Sequence, residues 1–166
     1  MAIRTELVVP REKPLTTPSD IEPDVVKKNA GAMDALLACV FSLEVETESS
    51  HWHMSGSRLR DYHWLLDDHG DRLFAMTDAF AERARKLGVT TIRSIAHIGR
   101  LRRISDDGAD YATAADMLSE VHENEKAVVL AMCRTRSLCD NRRDLAIAST
   151  LEDFINEAQW RSWFSF

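Results

Sequence analysis

The chain has 166 residues, of which 45% are hydrophobic and 29% charged, the proportions and length of one globular domain with a real core. Its net charge of −6 excludes nucleic-acid binding driven by bulk electrostatics and suits a surface that gathers cations. No apolar run approaches the roughly 18 residues of a membrane span, so no membrane partner is expected.

The four prolines, Pro10, Pro14, Pro18 and Pro23, all lie at the start of the chain, and no glycine follows Gly108. The intervening sequence carries 3.6-residue apolar patterns throughout, which predicts an all-α fold. Residues 1–22 are expected to form an extended tail and residues 23–166 one helical domain. In the tail and just beyond it, Arg4, Arg11, Lys13, Lys27 and Lys28 are offset by Glu6, Glu12, Asp20, Glu22 and Asp24. A DNA-binding arm needs a run of like positive charge, so packing on a neighbouring subunit is the expected role. The opening MAIRTELVV has no basic stretch leading into an apolar one, so no secretory signal is expected. Cys39, Cys133 and Cys139 form no CxxC pair and read as thiols in a reducing compartment. The cytoplasm is the expected location.

Helix A should begin between Asp20 and Pro23, capped by Asp or Ser with proline in the first turn. Ala32, Met33, Leu36, Leu37, Val40 and Leu43 form its apolar face. It should run to His51 or just past it and break at Ser55-Gly56-Ser57. His51 falls about 20° from the azimuth of Val40, pointing inward. Trp52 reads as packing or as an electron donor beside a redox metal, and His53 as facing elsewhere.

Helix B runs from Leu59 to a C-terminal stop at Gly88, with a seam of Leu59, Tyr62, Leu66, Leu73, Thr77 and Ala84. His69 and Asp71 read as surface or cavity-lining. Residues 90–104 should hold one short helix within a long connection, and Asp106-Asp107-Gly108 a turn. Helix C opens on a near capping box of Thr113 and Asp116, with Met117, Leu118, Val121, Val128 and Met132 inward. Helix D starts near Asp144, with Leu151, Phe154, Ile155, Ala158 and Trp163 inward and Trp160 and Phe164 available to another subunit. Asp140, Arg142, Arg143 and Asp144 between them could line a channel, with a solvated loop the favoured reading. Four long helices joined by one long crossover make a ferritin-like four-helix bundle with a short extra helix in the B–C connection.

Helix B also carries His63, Asp67, Asp78 and Glu82. With His63 as zero, the other three fall near about 40°, 60° and 100°. One imidazole and three carboxylates thus share a stripe at the edge of the core. His63 and Asp67 are one turn apart, as are Asp78 and Glu82, but the two pairs are separated by roughly 16 Å. Metal–ligand bonds are only about 2 Å long, so one ion cannot use both pairs of one chain. An antiparallel second copy would bring Asp78 and Glu82 opposite His63 and Asp67, giving two sites related by a two-fold axis. The spacing reads equally as a solvated charged face.

His51-Trp52-His53 followed by His63-x3-Asp67-x10-Asp78-x3-Glu82 resembles the Dps family, the DNA-protection-during-starvation miniferritins. The resemblance takes in HWHMSG, DYHWLLDDH, AERARKLG, TTIRSIAHIGRL and the aromatic end WRSWF, nearly all of residues 24–166. It implies a hollow homododecamer whose di-iron ferroxidase sites are shared across two-fold interfaces. His51, His63 and Asp67 would be ligands from one subunit and Asp78 and Glu82 from its partner, with Trp52 taking up a stray oxidising equivalent. The implied reaction oxidises Fe²⁺ with hydrogen peroxide and stores Fe³⁺ in the cavity. DNA is a partner, and the nucleoid a location, that the resemblance allows and the neutral tail does not support. Two other classes stand beside this reading: a nucleoid-binding structural protein with secondary iron chemistry, and a manganese or zinc hydrolytic site.

Overall fold

The computed structural model describes residues 20–105 and 112–164, together with Thr17. Residues 1–16, 18 and 19 of the tail and the Asp106-Asp107-Gly108 turn of the sequence reading lie outside these residues. Five helices follow in order: α1 Pro23–His53, α2 Leu59–Lys86, α3 Ile95–Leu101, α4 Ala114–Asn141 and α5 Leu145–Phe164. No strand occurs among the described residues. The architecture is the expected all-α ferritin-like bundle, with α3 inside the connection between its two halves.

Local chemistry sets the boundaries. Pro23 stands in the first turn of α1, where its missing N–H costs nothing. The residue before the helix is Glu22, which makes no side-chain cap bond, so the expected Asp or Ser cap is not used. The break after α1 contains Gly56 at φ 103°, a left-handed conformation open to glycine at little cost. α2 stops where Gly88 takes φ 83° and donates its N–H to the Arg85 carbonyl. α4 opens on a complete capping box: Thr113 Oγ1 accepts from Asp116 N, and Asp116 Oδ2 accepts from Thr113 N.

α1 packs chiefly on α2, and α4 on α5, so the bundle is two helical hairpins joined by the crossover. Met33, Val40, Leu43, Leu73, Met76, Phe80, Val128, Met132, Ile147 and Leu151 form the shared core. The Phe80 and Phe154 rings meet edge to face at 5.2 Å. At one end Asp144, 1% exposed, accepts from Arg83 Nη2 of α2 at 2.8 Å and from Asn29 Nδ2 of α1 at 3.1 Å. The same carboxylate accepts from Ile147 N, capping α5. Asp144 therefore does not belong to a solvated loop. The crossover is tied back to α1 by Thr91, whose hydroxyl donates to Asp34 at 2.7 Å.

Four packing expectations are corrected. Leu59 is 40% exposed, because it opens α2 beyond the reach of its neighbours. Trp52, at 66% exposed, packs on nothing within the chain core. Trp163, at 72% exposed, lies five residues past Ala158 and so about 140° round the helix from the seam. His69, read as surface or cavity-lining, is 1% exposed and belongs to the interior.

Candidate metal centre

All four stripe residues lie on the single helix α2, and His51 sits in the last turn of α1. Antiparallel packing of α1 on α2 brings the ring centroids of His51 and His63 to 4.3 Å, with an interplanar angle of 71°. Both histidines are half-buried, whereas Asp67, Asp78 and Glu82 are exposed. Glu82 is paired with Lys86 at 2.9 Å on the surface. The Lys86 ammonium, by hydrogen bond and charge, holds the Glu82 carboxyl below its ordinary range. His53 turns away: its Nδ1 meets the Ser49 carbonyl oxygen at 2.7 Å.

The structure thus joins His51 to His63, with Asp67 one turn further along α2, and leaves Asp78 and Glu82 along the same helix. Among the described residues no three His, Cys, Asp or Glu side chains of one chain converge as a metal site. A histidine pair, and carboxylates exposed along one face, require something else to complete a coordination shell.

Several groups here escaped the sequence reading. Glu48 Oε2 lies 3.8 Å from His51 Nδ1, an atom that is buried without a hydrogen-bond partner. Glu44, one turn before Glu48, has its carboxyl pushed up by burial and then by the Glu48 charge. Gly70 of α2 faces Glu48 so closely that a Cβ there would stand 2.6 Å from Glu48 Oε1. Trp64, beside His63, is 61% exposed with the Arg60 guanidinium 4.3 Å from its ring centroid. An i, i+3 acid–histidine spacing at 48 and 51, with glycine on the facing helix, was the available signal.

A second polar cluster occupies the bundle interior. Arg161 of α5 donates from Nε to Glu125 of α4, and its Nη2 lies 3.6 Å from the Met76 sulfur of α2. His69 lies in the field of that guanidinium, and burial, with Arg161 second, lowers its pKa to about 4. Burial pushes the Glu125 carboxyl up, against the opposing pull of Arg161. A guanidinium occupies this interior, which opposes a metal ion there.

The ferritin-like domain family matches residues 30–165. The chain belongs to the ferritin-like family. Its Dps-type fold is shared with DpsC from Streptomyces coelicolor, at TM-score 0.87 and 19% identity, over 93% of this chain and 92% of that one. An archaeal Dps homologue from Halobacterium salinarum gives TM-score 0.87 and 19% identity, over 98% and 91% of the two chains. A Vibrio cholerae Dps protein, described as a member of the ferritin-like diiron-carboxylate superfamily, gives 0.85 at 17% identity, over 93% and 97%. In sequence this ferritin-like chain is similar to the DNA protection during starvation protein of Agrobacterium fabrum, 26% identical over 64% of this chain and 66% of that relative. It is also 27% identical to a low temperature-induced protein of Nostoc sp., over 76% of this chain and 72% of the relative. No helix among the described residues is long and apolar enough to cross a membrane.

Proposed function

We propose that this protein is a ferroxidase and iron-storage protein whose sites form only between two copies. The observation that carries the reading is the layout of α2: His63 and Asp67 at one end, Asp78 and Glu82 at the other, the carboxylates exposed. An antiparallel partner would supply Asp78 and Glu82 to the His51, His63 and Asp67 of its neighbour, twice per dimer. Such dimers would assemble into the hollow dodecamer that the Dps fold suggests. The family relationship supports this over a hydrolytic metal site.

The donor set fits iron as the substrate. Imidazole and carboxylate together admit Fe²⁺, and anionic oxygen stabilises the harder Fe³⁺ product. Two Fe²⁺ ions each give up one electron to hydrogen peroxide, whose O–O bond breaks to leave two hydroxides. Paired delivery avoids releasing hydroxyl radical. Trp52, exposed beside His51, is the aromatic group proposed to take up a stray oxidising equivalent. Fe³⁺ hydrolyses to oxyhydroxide in the cavity, releasing protons. Protection of DNA would then follow from removal of iron and peroxide and need no direct contact.

Complementation between defective chains tests the reading. Chains carrying His63→Ala and Asp67→Ala, or Asp78→Ala and Glu82→Ala, are each expected to lose peroxide-driven Fe²⁺ oxidation when assembled alone. Unfolded and refolded together, they should regain a fraction of it, because one site in each mixed dimer carries all its ligands. Mixed assemblies as inactive as the separate variants would overturn the shared site.

A further inference from the structure

Gly70 occupies the middle of α2 and is buried. Glycine is the poorest non-proline residue for a helix interior, so such a position calls for a spatial reason. The facing group is not backbone or a core side chain but the end of Glu48, whose Oε1 lies 2.6 Å from where a Cβ would stand. The other oxygen of that carboxylate, Oε2, is the one 3.8 Å from the buried, unpartnered Nδ1 of His51. The glycine therefore leaves a notch that receives the Glu48 carboxylate beside the histidine.

We infer that Glu48 is a positioning residue of the metal centre, held over Gly70 to orient His51. The inference rests on the two-chain site proposed above. A histidine binds metal through one ring nitrogen, and the hydrogen bond made by the other fixes its tautomer and orientation. With Nδ1–H directed at Glu48, the lone pair of His51 Nε2 is left for iron. At 3.8 Å the separation is longer than a hydrogen bond, so the contact requires a rotation of the Glu48 or His51 side chain that brings the two atoms together. Glu48 is not itself assigned as a ligand, since one of its oxygens lies against Gly70 and the other faces Nδ1 of His51.

The notch gives the test opposite signs for folding and for metal. Gly70→Ala improves helix propensity and clashes only with the movable end of a flexible side chain. Its assembled protein is expected to melt at the same temperature as wild type or higher, while Co²⁺ titration followed by visible absorption shows weaker binding. Glu48→Gln should weaken Co²⁺ by about 10–100-fold, the usual cost of losing an orienting partner. Glu48→Asp should recover part of it, and Gly70→Ala should add little on top of Glu48→Gln. In metal-free protein, solid-state ¹⁵N NMR of labelled histidine should show His51 protonated at Nδ1 in wild type and redistributed in Glu48→Gln.

Unchanged Co²⁺ affinity in Glu48→Gln, with binding abolished by His63→Ala, would overturn the role of Glu48 and leave the shared site standing. Co²⁺ binding that ignores His63→Ala would instead overturn the shared site. The His51 tautomer then decides the Glu48 contact by itself: a form unchanged between wild type and Glu48→Gln overturns it. Loss of both melting temperature and affinity in Gly70→Ala would show that the glycine serves packing alone.

Discussion

Arg161 and Glu125 form an ion pair sealed inside the bundle, Nε to Oε1 at 2.6 Å, with side chains 0% and 1% exposed. Taking two charges out of water is expensive, and the pair repays that cost only while both partners are present. Glu125→Ala removes the shortest carboxylate contact of the guanidinium, leaving Glu157 Oε1 at 3.7 Å, and is expected to destabilise by about 3 kcal/mol. Replacing both together, as Arg161→Met with Glu125→Leu, should cost far less or stabilise. Thermal unfolding of the two variants beside wild type checks the contrast, and equal losses would show that packing rather than charge sets the cost.

Acid should weaken the bundle through His69. Neither ring nitrogen has a hydrogen-bond partner, and burial holds its pKa to about 4 against about 6.5 for an unfolded histidine. Between those values the unfolded chain binds more protons, so stability falls as pH drops through that window and levels off below it. The contribution is on the order of 3 kcal/mol per chain. Asp68 and Arg72 on α2 and Arg161 on α5 set the field at the ring. Glu125 acts in the opposite sense, because its raised pKa lets the folded state take up a proton more readily. The measurement is melting temperature from pH 7 to pH 4.5, and His69→Leu should flatten the decline. An equally steep decline in the variant would place the acid sensitivity elsewhere.

Arg143 is the positive-φ non-glycine residue among those described, at φ 60° in the turn between α4 and α5. A Cβ in the left-handed region costs roughly 1–2 kcal/mol. Arg143→Gly removes that clash at some cost in unfolded-state entropy, so a net gain of about 1 kcal/mol is expected. Denaturant unfolding is the check, and a loss of stability would show that the arginine side chain makes a compensating contact.

Asp144→Ala should be among the more damaging single changes away from the core. It removes the acceptor for Arg83 and Asn29 and the cap of α5 at once. A hydrogen bond to a charged group contributes about 1.5–3 kcal/mol and a cap about 1 kcal/mol, so a loss near 3 kcal/mol is expected. Asp144→Asn keeps the cap and should lose less. Comparison of the two unfolding curves separates cap from clasp.

Much of the fold was legible because helical periodicity, proline and glycine placement and capping residues are local signals. The α2 stripe was legible for the same reason: His63, Asp67, Asp78 and Glu82 belong to one helix, and azimuth follows from numbering alone. The interior polar residues were not. Arg161 and Glu125 lie on different helices, and a charged residue in an amphipathic pattern reads as surface until its partner is in view. His69 failed likewise, since nothing adjacent to it in sequence shows that it is buried in the field of Arg161 from α5. Glu48 and Gly70 face each other across α1 and α2, so their relation appears only once the helices are packed.

The hairpin construction bears on the order of folding. α1 with α2, and α4 with α5, are each joined by a short turn, so most of their contacts close small loops and can form early. The Asp144 clasp is different in kind, because it ties the second hairpin to Asn29 and Arg83 of the first. Its bonds can form only after the crossover has brought the halves together. Loss of the clasp should therefore quicken unfolding more than it slows folding. The persistence of the folded chain would then rest on a late-forming lock at one end of the bundle.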